Sequence, residues 1–522
     1  MVRTKQLTPA VSAALGAALY YYSAGLFGDG GFAGRAFFII FFCSSLVSFF
    51  RVLGEAPDFF FDNAVNENRV TAYGSGKELP RIFRFAGRLA AAFAAGIVIG
   101  AGAQAAAPRG PFPGLRPETV TAVSGTLAED PRAVQGGRGM GRIELVYAVN
   151  GAGVRAGARG SLPVYFPEEN VVQVKEFGCG CTVYVEGDFI VPAEDGRGGP
   201  YFRAVSVHVT SPASPLEQLR TGVRQRLVKL AGTADAGEDG WSGLSLALLL
   251  GIRDTLDGDL ASAWRDAGCA HVLALSGMHL AVISAMVVFL LKKPLGLKAA
   301  AVLCAVFVTA YVFVVGPQPG LNRAAIMYLL GTIAVLGSFH RVPLNLLAVS
   351  FLVHIVLYPG SGTGVSFILS YLALFGILII GEALRELGRG KIPEMFLGPL
   401  SASLGAFIAV APVTAYWFGV LRPVGIAAGI FVVPLAVMFM AGSVPVLALT
   451  AVSPAAGRAL SPALSVLYRA QEKIVRLAAA VPGVSPGPAP VLAASLALSL
   501  TVLFLAYRSR RGRNRLLPFA GS

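Results

Sequence analysis

Long apolar runs recur through this chain, and each is close to the ~20 residues needed to cross a bilayer as a helix. Three lie at about 8–27, 32–50 and 86–107. Eight more lie at about 268–291, 296–316, 321–338, 342–358, 364–381, 397–418, 423–450 and 491–507. Hydrocarbon offers no water to backbone polar groups, so such runs are read as helices. Composition agrees: of 522 residues, 55% are hydrophobic and 14% charged, against roughly 25% charged in soluble domains. An ordinary soluble enzyme is excluded. The fold class that follows is a polytopic α-helical membrane protein interrupted by one different segment.

That segment, 115–212, replaces the apolar runs with short stretches of β-formers broken by Gly, Pro and acidic residues. They are Thr119 to Leu127, Arg142 to Val149, Ser161 to Phe166, Thr182 to Ile190 and Tyr201 to Thr210. Five strands in so short a stretch suit a small OB-like β-barrel, a fold that can hold single strands by aromatic stacking in a basic groove. The segment has aromatics (Tyr147, Tyr165, Phe166, Tyr184, Phe189, Tyr201, Phe202), yet its 9 basic and 11 acidic residues leave it slightly negative. Composition alone favours these aromatics as core.

The net charge of +14 is spread over the membrane segments and read as loop charge that orients helices. Arg3 and Lys5, with Arg51, Arg69, Lys77, Arg81, Arg84 and Arg88, put the start of the chain and the loop before the third span in the cytoplasm. The β segment is then extracytoplasmic. Lys292, Lys293 and Lys298, then Arg341, then Arg385, Arg389 and Lys391 fall inside on the same count. The last span conflicts. Eight crossings leave Arg508, Arg510, Arg511, Arg513 and Arg515 outside unless 423–450, with Pro434 and Pro445, crosses twice or re-enters.

Five divisions result: N-terminal spans at 1–114, the β domain at 115–212, an amphipathic helix and linker at 213–239, the polytopic domain at 240–507 and an Arg-rich tail at 508–522. In the third, Leu216, Leu219, Val223, Leu227 and Leu230 share a helical face, with Arg220, Arg224, Arg226 and Lys229 around the others. An interfacial helix and a plain linker helix both fit.

Residues 251–280, GIRDTLDGDLASAWRDAGCAHVLALSGMHL, run charge and histidine into an apolar helix. Ionisable residues at membrane depth face a bundle interior or a water path, which singles out Asp266, His271 and His279. On a continuous helix Ser276 falls near both histidines, forming one polar stripe. Polar glue between helices, or a bend at Ser276-Gly277, fits the same residues. No nucleophile elbow surrounds Ser276 and no Asp-bearing motif completes a triad. Five Cys make no disulfide framework, and the histidines form no clustered metal motif. Neither catalytic nor metal-ligating residues are assigned, and no cofactor is expected.

The stretch Gly268-Cys269-Ala270-His271, an apolar run, then Ser276-Gly277-Met278-His279 resembles the signature of the ComEC-type DNA-internalisation competence proteins. Gly251 with Arg253-Asp254 fits the approach to that signature, with Ile252 where an acidic residue is expected. Two further stretches are similar to family motifs: Pro317-Gln-Pro-Gly-Leu-Asn-Arg323-Ala324, and Ser366-Phe367-Ile368-Leu369-Ser370-Tyr371, where Ser, Ile and Tyr stand for Gly, Gln and Phe. The order of spans, barrel, amphipathic helix and polytopic core is also similar. Many family members end in a metallo-β-lactamase-like domain, so the resemblance implies a short or truncated form.

The resemblance implies a channel, not an enzyme, that carries single-stranded DNA across the cytoplasmic membrane in natural transformation, alone or as a dimer. Membrane lipids, an external DNA receptor and a cytoplasmic ATP-driven motor would be its partners, since no Walker A motif is present. Candidate DNA-path residues are Arg253, Asp254, Asp266, His271, Ser276, Gly277, His279, Arg323 and Ser370, with Arg323 meeting phosphates at the outer mouth. A small-solute transporter fits the same core, and a membrane-anchored assembly scaffold fits the acidic barrel.

Overall fold

The computed structural model describes residues 115–516 except 129–131, 134–138, 159, 168–178, 191–200, 236–239, 317, 338–342 and 359–363, together with 14, 17, 18, 94–99 and 101. The three N-terminal spans and the Arg-rich cytoplasmic loop inferred from sequence fall largely outside the described residues. Two compact units emerge, Ala107–Asn322 with Val432–Ala480, and Arg323–Phe431 with Val481–Ser522 and the chain before Ala107.

In the first unit the β segment forms strands β1 (Val120–Leu127), β2 (Arg132–Ala133), β3 (Gly139–Asn150), β4 (Arg155–Gly157), β5 (Ser161–Phe166), β6 (Thr182–Ile190) and β7 (Tyr201–Ser211). β1 pairs with both β3 and β6, β6 with β7, β7 with β5 and β5 with β3, so the five long strands close on themselves. All these pairings are antiparallel except β5 with β7. Counting the long strands alone, the circular order is 1-2-3-5-4, an OB-like barrel. Val123, Ile143, Val164, Cys181, Val183, Val185 and Phe202 fill it completely shielded from solvent. Phe166 and Phe202 are core, as composition favoured. Tyr147, Tyr165, Tyr184, Phe189 and Tyr201 are only half-buried, Tyr165 meeting Tyr201 edge-on at 5.0 Å and Tyr147 carrying Arg155 at 5.4 Å.

The same unit continues into α1 (Pro215–Asp235), α2 (Trp241–Leu250), α3 (Gly258–Asp266), α4 (Ala270–Leu273) and α5 (Gly277–Val315). α5 is a hairpin. Gly296 takes φ 78, ψ 166 inside it, and Cys304 Sγ reaches the Ser284 carbonyl at 3.6 Å. On a straight helix those residues would stand ~30 Å apart. Each half holds about 19 residues, matching the separate apolar runs seen in sequence.

The second unit holds α6 (Pro319–Leu336) from Arg323 onward and α7 (Pro343–Leu357). α8 (Val365–Gly376) continues through a wider turn at Ile377–Gly381 into Glu382–Gly388. α9 (Glu394–Phe418) and α12 (Pro488–Leu516) complete the unit, and α10 (Val424–Val452) starts there and runs into the first. Gly376, Gly381 and Gly405 let α8 and α9 meet backbone to backbone; a side chain built at Gly405 would sit 2.7 Å from the Gly376 carbonyl oxygen. α10 is one continuous helix despite Pro434 and Pro445, so the run 423–450 is not re-entrant. After it comes α11 (Pro454–Ala479), an amphipathic helix with no counterpart among the sequence-derived spans, capped by Ser453 accepting from the Ala456 amide at 3.4 Å.

Among the described residues, Gly277–Val315, Val365–Gly388, Glu394–Phe418, Val424–Val452 and Pro488–Ser509 are long and apolar enough to cross a membrane. Trp241–Leu250, Gly320–Leu336 and Pro343–Leu357 are shorter apolar helices. Large apolar side chains lie exposed on these elements, among them Phe289, Leu290, Val306, Phe431 and Phe504. In water such surfaces aggregate; in lipid they are the resting state.

Candidate functional site

The stretch 251–280 lies wholly in the first unit, and it is a broken path instead of the continuous helix that would align one polar stripe. Gly251 ends α2 at φ 70, a left-handed conformation suited to glycine. The following loop is exposed at Arg253 and Asp254, and Arg253 Nη2 reaches back to donate to the Leu273 carbonyl at 2.9 Å. Asp257 caps α3 by accepting from the Asp259 amide, and Asp266 closes that helix half-buried. α4 lasts four residues. His271 projects exposed from it, with Nδ1 3.2 Å from the Gly268 carbonyl. Between them Cys269 is buried, and burial pushes its thiol up to about 11, which makes it an inert small apolar group.

Ala274 is extended, and α5 restarts at Gly277 behind Ser276. Ser276 Oγ accepts from the Met278 amide at 3.3 Å while His279 Nδ1 accepts from the Ser276 amide at 3.1 Å. This is a capping box in which His takes the place usual for Glu or Gln. An acceptor Nδ1 fixes the neutral tautomer with its proton on Nε2. His279 is completely buried; its Nε2 has no partner within bonding geometry among the described residues, and the Val272 backbone is its polar neighbour. Ser276 and His279 therefore meet, whereas His271 stands apart from them on α4. The capping role of Ser276 at the start of α5 accounts for this geometry.

Three side chains hold this path against its neighbours. Arg224 Nη1 donates to the carbonyls of Val315 at 2.9 Å, Val314 at 3.2 Å and Leu250 at 3.4 Å. Arg220, 4% exposed, adds Nε to Val314 O at 3.3 Å and pairs with Glu217 at 3.0 Å. Tyr311 donates to Leu249 O at 2.6 Å. Two arginines of α1 thus cap the C-termini of α2 and α5, where carbonyls lack partners and a cation is favoured. Gly316, at φ 94, leaves room for the Arg220 guanidinium that a side chain would fill. α1 is neither a plain linker nor a helix with all its cations in water: Arg220 and Arg224 bind helix ends, while Leu216 and Leu219 stand exposed.

In the second unit, Arg323 is 7% exposed. Its Nε donates to Ser370 Oγ at 2.9 Å and its guanidinium carbon lies 5.7 Å from the centre of the Tyr371 ring. Tyr371 OH lies 3.3 Å from His354 Nδ1, and Ser350 is buried nearby on the same helix as His354. The two weaker motif-like stretches, 47 residues apart, are joined by this hydrogen bond. Among the described residues no carboxylate pairs with Arg323, and its neighbours there are the neutral Ser370, Met327 and Tyr371.

His354, Tyr371, Arg220 and Arg224 were not singled out as site residues by sequence. His354 has no motif, and the arginines read as one side of an amphipathic helix until the helix ends they cap are in place. No group of three His, Cys, Asp or Glu among the described residues is placed to hold a metal ion.

The fold and these polar clusters define a multi-pass helical membrane protein carrying an OB-like barrel. The chain matches the family described as Competence protein over residues 248–511, half of its length, and it belongs to that family. It is similar to ComE operon protein 3 of Bacillus subtilis (strain 168), 23% identical over 278 residues, 52% of this chain and 35% of that protein. The chain therefore spans about a third of the curated relative it matches. No solved structure matches it.

Proposed function

We propose that this protein takes part in DNA uptake during natural transformation by conducting single-stranded DNA across the cytoplasmic membrane, with its barrel on the outer side. Competence-family membership supports the process, and the buried Arg323 joined to Ser370, with no carboxylate partner among the described residues, carries the reading of a polyanion path. A strand crossing a bilayer needs donors and modest positive charge along its way, because one strong site would stop transit. The short path from Arg253 to His279 supplies a second set of polar groups. An external receptor would deliver DNA and a cytoplasmic ATP-driven motor would pull it; the channel acts alone or as a dimer.

The test compares labelled DNA protected in the cytosol of a transformable host with and without this protein, scoring surface-bound DNA separately. Deletion is expected to abolish cytosolic DNA and leave surface binding intact. Arg323→Ala should lower it at least tenfold, and Arg323→Lys less. Unchanged cytosolic DNA after deletion would sink the reading and favour a small-solute transporter.

A further inference from the structure

We propose that Tyr371 and His354 are positioning residues for Arg323: joined to each other between aromatic side chains, they fix its guanidinium so that its two Nη groups are kept for the oxygens of a passing phosphodiester. This rests on the DNA-conducting reading above and names the part of the strand that Arg323 meets.

A guanidinium carries five N–H donors in a planar fork. In Arg323, Nε donates to Ser370 Oγ at 2.9 Å, and Nη1 reaches the Met327 sulfur at 3.7 Å, a weak acceptor. Nη2 has no partner among the described residues. Arg323 is only 7% exposed, and an unmet donor at that burial is costly. With Nε occupied, the open end of the fork is the one formed by Nη1 and Nη2, which matches two oxygens of one phosphate. Ser370, being neutral, orients the fork without competing for it as a carboxylate would.

Tyr371 and His354 hold the fork in place. The Arg323 guanidinium carbon lies 5.7 Å from the centre of the Tyr371 ring, within cation–π range. That ring is itself pinned. Its hydroxyl lies 3.3 Å from His354 Nδ1 on α7, Phe351 meets it edge-on at 5.4 Å, and Phe367 packs on it at 4.7 Å. His354 in turn meets Phe367 edge-on at 4.9 Å. Tyr371 is 3% exposed and His354 1%, so neither is open to a strand and both act through Arg323. Among these apolar side chains the hydroxyl and the imidazole satisfy each other, as buried polar groups must. Without His354 the Tyr371 ring would re-seat to satisfy its hydroxyl and shift the face beneath Arg323. The set draws one residue from each of α6, α7 and α8, all in the second unit.

The measurement is labelled DNA protected in the cytosol of a transformable host, with protein level and surface-bound DNA scored beside it. Tyr371→Leu, which removes the ring, should cut cytosolic DNA about tenfold, and His354→Leu about threefold, as one cation–π contact and one hydrogen bond would. His354→Asn, whose Oδ1 can stand where Nδ1 does, should return it to within twofold of wild type. Positioning is told from a merely structural role in the Arg323→Lys protein, whose ammonium has no planar fork to orient. There both Leu variants should add less than twofold. Equal losses in the Arg323 and Arg323→Lys backgrounds overturn the proposal, as does a failure of His354→Asn to restore what His354→Leu loses. Should Tyr371→Leu not accumulate, Tyr371→Phe takes its place: it should match His354→Leu, with no further loss when the two are combined, and a larger loss in the combination overturns the proposal. If deletion of the protein abolishes cytosolic DNA and the Tyr371 and His354 variants leave it unchanged, the DNA-conducting reading survives and this inference fails.

Discussion

Ser276 and His279 illustrate how one sequence pattern supports two chemistries until geometry separates them. A serine three residues before a histidine could be an activated hydroxyl, yet here both side chains satisfy backbone amides at the start of α5. Oγ and Nδ1 also lie 3.1 Å apart, which the capping box produces without any catalytic requirement. Losing a cap of this type costs about 0.5–2 kcal/mol. Ser276→Ala is therefore expected to destabilise the purified protein by ~1 kcal/mol in detergent unfolding, whereas Ser276→Asp, another good cap, should keep both stability and DNA uptake. A Ser276→Asp protein that is stable yet inactive would show that the hydroxyl does more than cap. The spacing of this pair was legible in sequence; its meaning was not, because the break at Ala274 that turns Ser276 into a helix start depends on where α3 and α4 pack.

Elements were legible in proportion to their hydrophobicity. Runs of apolar residues located α8, α9, α10 and α12, and even the two halves of α5, because hydrocarbon imposes helix on any such run. Period-2 stretches located the five barrel strands within a few residues. α11 escaped because its apolar positions are diluted by Arg458, Arg469, Glu472, Lys473 and Arg476, leaving no ~20-residue apolar run. Its signal was the helical spacing of Leu464, Tyr468 and Val475 behind a Ser-Pro start. The α8–α9 contact was also hidden, since single glycines in apolar helices carry no pattern. At Gly405 a methyl would stand 2.5 Å from the Gly381 nitrogen and 2.7 Å from the Gly376 oxygen, both backbone atoms that cannot swing aside. Gly405→Ala should force the helices apart and cost ~1–3 kcal/mol, in the range of overpacked cores. Faster proteolysis in membranes is the measurement; Gly398→Ala on the same helix, where a side chain meets nothing within 4 Å, should be neutral.

For the whole molecule, α11 bears on the charge conflict that the apolar runs left open. With eight passes from residue 268 onward, the tail with Arg508, Arg510, Arg511, Arg513 and Arg515 would share a side with the barrel, against the usual excess of Lys and Arg in cytoplasmic loops. One more pass reverses the tail without splitting α10, which is a single helix. The two halves of α5, then α6 to α12, make that odd number only if α11 also crosses, and the barrel and the tail then lie on opposite faces. Single cysteines at Thr210 in the barrel and Ser522 in the tail, probed in intact cells and in inverted vesicles with an impermeant thiol reagent, test this directly. Thr210→Cys is expected to label only from outside and Ser522→Cys only from the cytoplasmic side. Labelling of both from one side would return the count to an even number and remove α11 from the crossing helices.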